Sequence, residues 1–177
     1  MHLIDVKSPA DLKGLSISEL TDLTAQARQA MMTKVSEQGG HCGPPMGAAE
    51  MIMALHYVFN SPVDKIVYDV SHQSYVHKMV TGRALAFLDH NHYDDVTGYT
   101  DPTESEHDFF NIGHTATSIS LASGLATARN LKGDSENIIA IIGDGSLSGG
   151  EAFEGFDYAA TLDSNMIIIV NDNDQSI

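Results

Sequence analysis

The amino-acid sequence predicts an α/β protein: a parallel sheet with helices on both faces, incomplete at its carboxyl terminus. Three observations predict it. Residues 137–142 and 166–170 are short apolar runs, and 65–71 reads as a short buried strand carrying β-branched residues. The apolarity of the two runs is continuous rather than alternating, which marks strands covered on both faces. Segments of helical periodicity separate the runs, as crossover connections between parallel strands require.

Each element follows in order. Ser16-Ile17-Ser18-Glu19 reads as a capping box that opens a helix. Leu20, Leu23, Ala27, Met31 and Val35 then recur at helical spacing, and Gly39-Gly40 ends the helix. After Pro44-Pro45, residues 46–59 read as a second amphipathic helix, stopped near Asn60-Ser61-Pro62. The run at 65–71 is a buried strand, and a helix is expected over 73–81. Residues 89–108 are polar, acidic and histidine-bearing, and read as a long surface loop. From 115 to 131 a helix dominated by Ala, Ser, Gly and Thr is expected, small enough to approach a neighbouring backbone closely. Residues 151–162 form the helix of a closing strand–helix–strand unit.

Composition bounds the function classes. At 177 residues and 42% hydrophobic content the chain can bury a sizeable core. A net charge of -15 argues against nucleic acid and anionic membranes as partners, since both need a cationic footprint. The charge also means that any phosphate site is assembled locally, from metal, helix N-termini and backbone amides. The longest apolar runs are far too short to span a bilayer. A single cysteine, Cys42, excludes an intrachain disulfide, and the cytoplasm is the expected compartment.

The chemistry concentrates in the last forty residues. The strand at 137–142 runs into Gly143-Asp144-Gly145-Ser146, and the strand at 166–170 runs into Asn171-Asp172-Asn173. Both clusters fall at carboxyl ends of parallel strands, where open α/β sheets bind ligands. A carboxylate with an amide oxygen suits Mg2+, which takes few protein ligands and fills its shell with phosphate oxygens and water. A Gly-Asp-Gly by itself is an ordinary turn; two clusters on adjacent strand ends carry more weight. An EF-hand loop from Asp172 fails, because Ile177 stands where the turn glycine belongs.

These motifs resemble the metal–diphosphate motif of thiamine-diphosphate enzymes. The wider sequence resembles the transketolase superfamily, and within it the 1-deoxy-D-xylulose-5-phosphate synthases. The similarity is carried by Gly39-Gly40-His41, Ala54-Leu55-His56-Tyr57-Val58-Phe59, His72-Gln73-Ser74-Tyr75-Val76-His77-Lys78, Thr81-Gly82-Arg83, Glu104-Ser105-Glu106, Gly113-His114 and Thr117-Ser118-Ile119-Ser120. The resemblance implies that Asp144, the Asn173 side chain and the Gln175 carbonyl bind Mg2+. It implies that Gly113, His114, Thr115, Gly145, Ser146, Asn173 and His72 contact thiamine diphosphate, with Thr115 opening a helix. His41 and His72 would be the catalytic groups, His41 facing the reacting carbon. By the same resemblance the chain is the N-terminal part of the diphosphate-binding domain. The pyrimidine-binding and C-terminal domains, and the glutamate that activates the cofactor, would come from elsewhere, and the assembly would be a homodimer.

Two donors stay open: a 2-oxo acid that loses CO2, as in the synthases, or a sugar phosphate that yields a ketol unit, as in transketolase. Gly40-His41-Cys42-Gly43-Pro44-Pro45-Met46-Gly47 is nearer the transketolase pattern. Ser71 replaces the usual glycine before His72, the segment from Gly98 to Thr103 lacks the usual basic residues, and Asn111-Ile112 stands where Gly-Thr is usual. A non-catalytic cofactor-binding subunit is the alternative from another class. The remaining histidines read as structural or solvated. His90 and His92 lack the companions of a zinc site, and Cys42 reads as a buried small hydrophobe. Met31, Met32, Met46, Met51 and Met53 read as core filling.

Overall fold

The computed structural model describes Met1–Asp172. Within it the chain forms two compact units, each assembled from two stretches: Met1–Asn60 with His72–Gly98, and Ser61–Ser71 with the residues from Tyr99 onward.

The first unit is helical. Helix α1 (Ile17–Gln38) begins at the expected capping box, where the Glu19 amide donates to Ser16 Oγ and the Ser16 amide donates to the Glu19 carboxylate. Those hydrogen bonds from Ser16 hold the Glu19 carboxyl below its ordinary pKa. Leu20, Leu23, Ala27 and Met31 are buried as their spacing requires, but Val35 is only half-buried and Lys34 takes the inward place. Its ammonium donates to the carbonyls of Ala86 at 2.9 Å and Tyr93 at 2.7 Å, over the Phe87 ring. A buried cation needs such partners. They come from α5 (Leu85–Leu88) and from a 3-10 segment, His90–Asp95, inside the stretch expected to be a long surface loop.

The single helix expected over 46–59 is two helices, α2 (Gly43–Gly47) and α3 (Ala49–Val58), broken at Ala48. The helix expected over 73–81 is shorter, α4 (Tyr75–Lys78), followed by a π-type turn over Met79–Arg83. His56 on α3 and His77 on α4 are fully buried, with His56 Nε2 2.9 Å from His77 Nδ1. Met31 and Met53 are core residues, whereas Met32 is exposed, since it follows Met31 by one residue and faces away. Cys42 is exposed, against expectation, because it precedes α2 at the surface rather than packing under it.

The second unit carries the sheet. Strands β1 (Lys65–Tyr68), β2 (Ile138–Gly143) and β3 (Met166–Asn171) lie in the order β1-β2-β3, all parallel. Two helices, α6 (Ser118–Lys132) and α7 (Gly150–Thr161), complete it. Val67, Ile138, Ala140 and Ile142 of the sheet pack with Ile119, Ala122 and Ala126 of α6 and Ala152 of α7. Helices α6 and α7 approach closely at Gly155 of α7, where a Cβ would stand 3.1 Å from Ser120 Oγ and 3.2 Å from Ile119. Strand β2 is enclosed on both faces, as continuous apolarity predicts, but β3 is only half-buried because it borders the sheet among the described residues. Arg129 closes the far end of this unit, its guanidinium donating to Glu136 O, Asn165 O and Ser164 Oγ where the chain enters β2 and β3.

Candidate functional site

In the second unit the register of β2 and β3 pairs Gly143 with Asn171, so the two polar clusters do emerge side by side. The amide of Asp144 donates to Asn171 O at 3.2 Å, which extends the ladder into the Gly-Asp-Gly turn. Asp144 is half-buried, and its Oδ1 accepts the Gly145 amide at 2.8 Å. Its Oδ2 accepts no hydrogen bond among the described residues, which leaves an anionic oxygen available to a hard cation. A 3-10 turn, Gly145–Ser148, follows and buries Ser146. Asn173 and Gln175 lie outside the described residues.

The stretch Gly113, His114 and Thr115 is exposed, and His114 Nδ1 sits 2.7 Å from Thr115 O. Thr115 does not open a helix. Helix α6 starts three residues later, because Ala116 takes a left-handed conformation, φ 70°, and turns the chain before the helix can begin. The Thr117 hydroxyl does not cap α6. The capping oxygens come instead from Asp69, just past β1, whose buried carboxylate accepts the amides of Ala116 and Ser118 at 2.9 Å each. Sequence reasoning passed over Asp69. The available signal was a carboxylate ending an apolar run, a position where a buried charge must find donors.

Beyond Asp69 the backbone is unusual. Val70 has φ 56° and Ser71 φ 70°, and the Ser71 amide closes back on Asp69 O. Left-handed non-glycine residues are uncommon, and a β-branched one is an outlier that the surroundings must enforce. The enforcement is visible at Ser71, whose fully buried hydroxyl donates to Ile112 O and accepts the Thr100 amide, both at 3.0 Å. The serine in a glycine's place is therefore a hydrogen-bonded clamp on the segment that leads into Gly113. Ser71→Ala should cost about 2 kcal/mol, because it keeps the left-handed Cβ and strands two buried backbone groups. Ser71→Gly should cost about 1 kcal/mol less, since it relieves the Cβ clash of that conformation. Thermal unfolding of the chain checks the ranking; an alanine variant as stable as the glycine variant would contradict it.

In the first unit His41 follows the Gly39-Gly40 bend, and its ring lies edge-on to that of His72, with centroids 5.0 Å apart and planes at 63°. Both imidazoles are half-buried. The two candidate catalytic histidines are thus neighbours. His90 and His92 are surface residues, His92 paired with Asp95, and no cluster of three or more metal-ligating His, Cys, Asp or Glu groups exists among the described residues. No helix among the described residues is long and apolar enough to cross a membrane.

A family model described as 1-deoxy-D-xylulose-5-phosphate synthase matches residues 3–177. The chain belongs to this family. It is 48% identical over 177 residues to the 1-deoxy-D-xylulose-5-phosphate synthase of Symbiobacterium thermophilum, covering all of this chain and 27% of that one. The synthase of Caldanaerobacter subterraneus subsp. tengcongensis is 49% identical over 175 residues, covering 99% of this chain and 28% of that one. Among solved structures, transketolase from Leishmania mexicana superposes with a TM-score of 0.65 at 21% identity, over 92% of this chain and 28% of that chain. That likeness is one of fold. This member of the synthase family therefore spans little more than a quarter of the length of the relatives it matches. The family match extends across both compact units, so the His41–His72 pair and the Asp144 turn both lie within it.

Proposed function

We propose that the chain is the N-terminal part of the diphosphate-binding domain of a thiamine-diphosphate and Mg2+-dependent transferase. Completed by a pyrimidine-binding and a C-terminal domain in a cytoplasmic homodimer, it joins the two-carbon fragment of pyruvate to glyceraldehyde 3-phosphate, releasing CO2. The observation that carries this reading is the pairing of Gly143 with Asn171, which brings the Asp144 and Asn171-Asp172 clusters to one sheet end. The donor set fits the ion: a carboxylate oxygen of Asp144, the side-chain oxygen of Asn173 and the carbonyl of Gln175 are hard ligands, few enough to leave room for diphosphate oxygens. Gly145, Ser146, Gly113, His114, Thr115 and His72 are the residues proposed to line the diphosphate.

Bound, the cofactor supplies the nucleophilic carbon and the electron sink. The chain's own part is to hold, orient and move protons. In this reading Asp144 fixes the ion, and the exposed backbone of Gly113–Thr115 offers amide donors to phosphate. His41 and His72, adjacent imidazoles that can donate or accept a hydrogen bond, serve the substrate carbonyl oxygen. Measuring CO2 release from pyruvate by the enzyme reconstituted with its remaining domains tests the proposal, and release dependent on both cofactor and Mg2+ is expected.

A second reading, ketol transfer between sugar phosphates, is favoured by Pro44-Pro45-Met46-Gly47 after His41. It predicts no CO2, with transfer from a ketose phosphate instead. A chain that binds no thiamine diphosphate in the reconstituted enzyme would sink both and leave the assembly-subunit reading.

A further inference from the structure

We propose that Tyr75 is the positioning residue for His41, a role that rests on the reading of His41 as a working group of the site. Tyr75 opens α4, three residues after His72, and its ring is buried against Phe87, with centroids 5.4 Å apart. Its hydroxyl reaches the bend that leaves α1. There it accepts the backbone N–H of His41 at 3.4 Å. Gly40, with φ 127°, lies against the same oxygen: a Cβ at Gly40 would stand 3.0 Å from it, and one at Gly98 would stand 3.7 Å away.

The geometry explains why residue 40 is glycine. The bend has to pass the phenol closely in a conformation that side chains rarely adopt. It also gives one short segment control over both histidines. Residues 72–75 carry the His72 ring at one end and, at the other, the oxygen that meets the His41 backbone. The 5.0 Å spacing of the two imidazoles is therefore set from one side.

Tyr75 also lines an open groove of about 290 Å³, with Lys34, Gly39, Gly40, Thr97 and Gly98 among others. The groove reaches Gly40, next to His41, so water entering from it can meet the His41 amide if the phenol oxygen is removed. Loss of the hydroxyl should thus change the fold little and the placement of His41 a great deal. Displacement of a reacting group by an ångström can cost orders of magnitude in rate without altering binding.

The test is Tyr75→Phe in the reconstituted holoenzyme, assayed beside His41→Gln and Gly40→Ala. The expected result for Tyr75→Phe is a kcat about tenfold lower, with KM for the donor, thiamine diphosphate affinity and melting temperature close to the parent's. Gly40→Ala should lower kcat further by pressing its methyl group on the phenol oxygen. Adding Tyr75→Phe to that variant should then lower kcat no more, because the contact is already broken. If His41→Gln lowers kcat while Tyr75→Phe leaves it unchanged, the positioning role is refuted and the reading of His41 stands. If His41→Gln is silent, that reading fails and takes the proposal with it. A Tyr75→Phe variant that loses cofactor affinity and melting temperature in step with kcat would show a merely structural tyrosine and overturn the proposal.

Discussion

Replacing Asp144 with alanine should weaken Mg2+-dependent binding of thiamine diphosphate by about 100-fold or more, a loss at or beyond the upper end of what outer-sphere partners of metal sites contribute. The argument is electrostatic. A chain of net charge -15 repels the diphosphate at long range, so binding depends on a cation held locally. The Asp144 carboxylate is the one anionic group in the proposed ligand set, and Asn173 and Gln175 offer only dipoles. Stability should barely change, because the carboxylate's protein partner is the adjacent Gly145 amide in a half-buried turn. Asp144→Asn, which keeps an oxygen but not the charge, should fall between. Calorimetric titration of the reconstituted enzyme with the cofactor, with and without Mg2+, separates the cases. Parent-like affinity in the alanine variant would remove the metal site from this strand end.

The contrast between what the sequence disclosed and what it concealed is physical. The βαβ unit and the α1 capping box are local: each follows from a short run of residues and its immediate flanks, so 138–143 and 166–171 emerged within a residue of expectation, whereas β1 stops at Tyr68, three residues before the expected end. The adjacency of the two strands followed from the same logic, since consecutive parallel strands tend to be neighbours, while the register that pairs Gly143 with Asn171 comes from the structure. The concealed features depend on partners distant in the chain. Lys34 looks like a surface cation until Ala86 and Tyr93 present their carbonyls. Thr115 looks like a helix opener until Asp69, more than forty residues earlier, captures the amides of Ala116 and Ser118. Ser71 is legible as a departure from glycine, but only its hydrogen bonds reveal why a serine tolerates a left-handed backbone. Of these positions only Ser71 was marked as odd by its residue type; for all three, the distant partner gave the reason.

Asp69 carries the largest stability prediction. Its two carboxylate oxygens each accept one amide at 2.9 Å, and the residue is 1% exposed. The first amides of a helix have no partner within it, so in this buried setting a strand-borne carboxylate does what an N-cap side chain does at the surface. Asp69→Ala deletes two charge-assisted hydrogen bonds and leaves both donors buried, a cost of about 3–5 kcal/mol. For a chain of this length each kcal/mol corresponds to a fall in melting temperature of roughly 2–4 °C. Asp69→Asn can accept one amide but must turn its own NH2 toward the other, so it should recover less than half of the loss. The consequence reaches the candidate site, because the same carboxylate fixes the left-handed Ala116 that ends the Gly113–Thr115 stretch. Amide exchange should therefore quicken at Ala116, Thr117 and Ser118 before it does in β2. An alanine variant that melts like the parent, or whose exchange quickens uniformly, would show that α6 is held by packing on Ile119, Ala122 and Ala126 rather than by its cap.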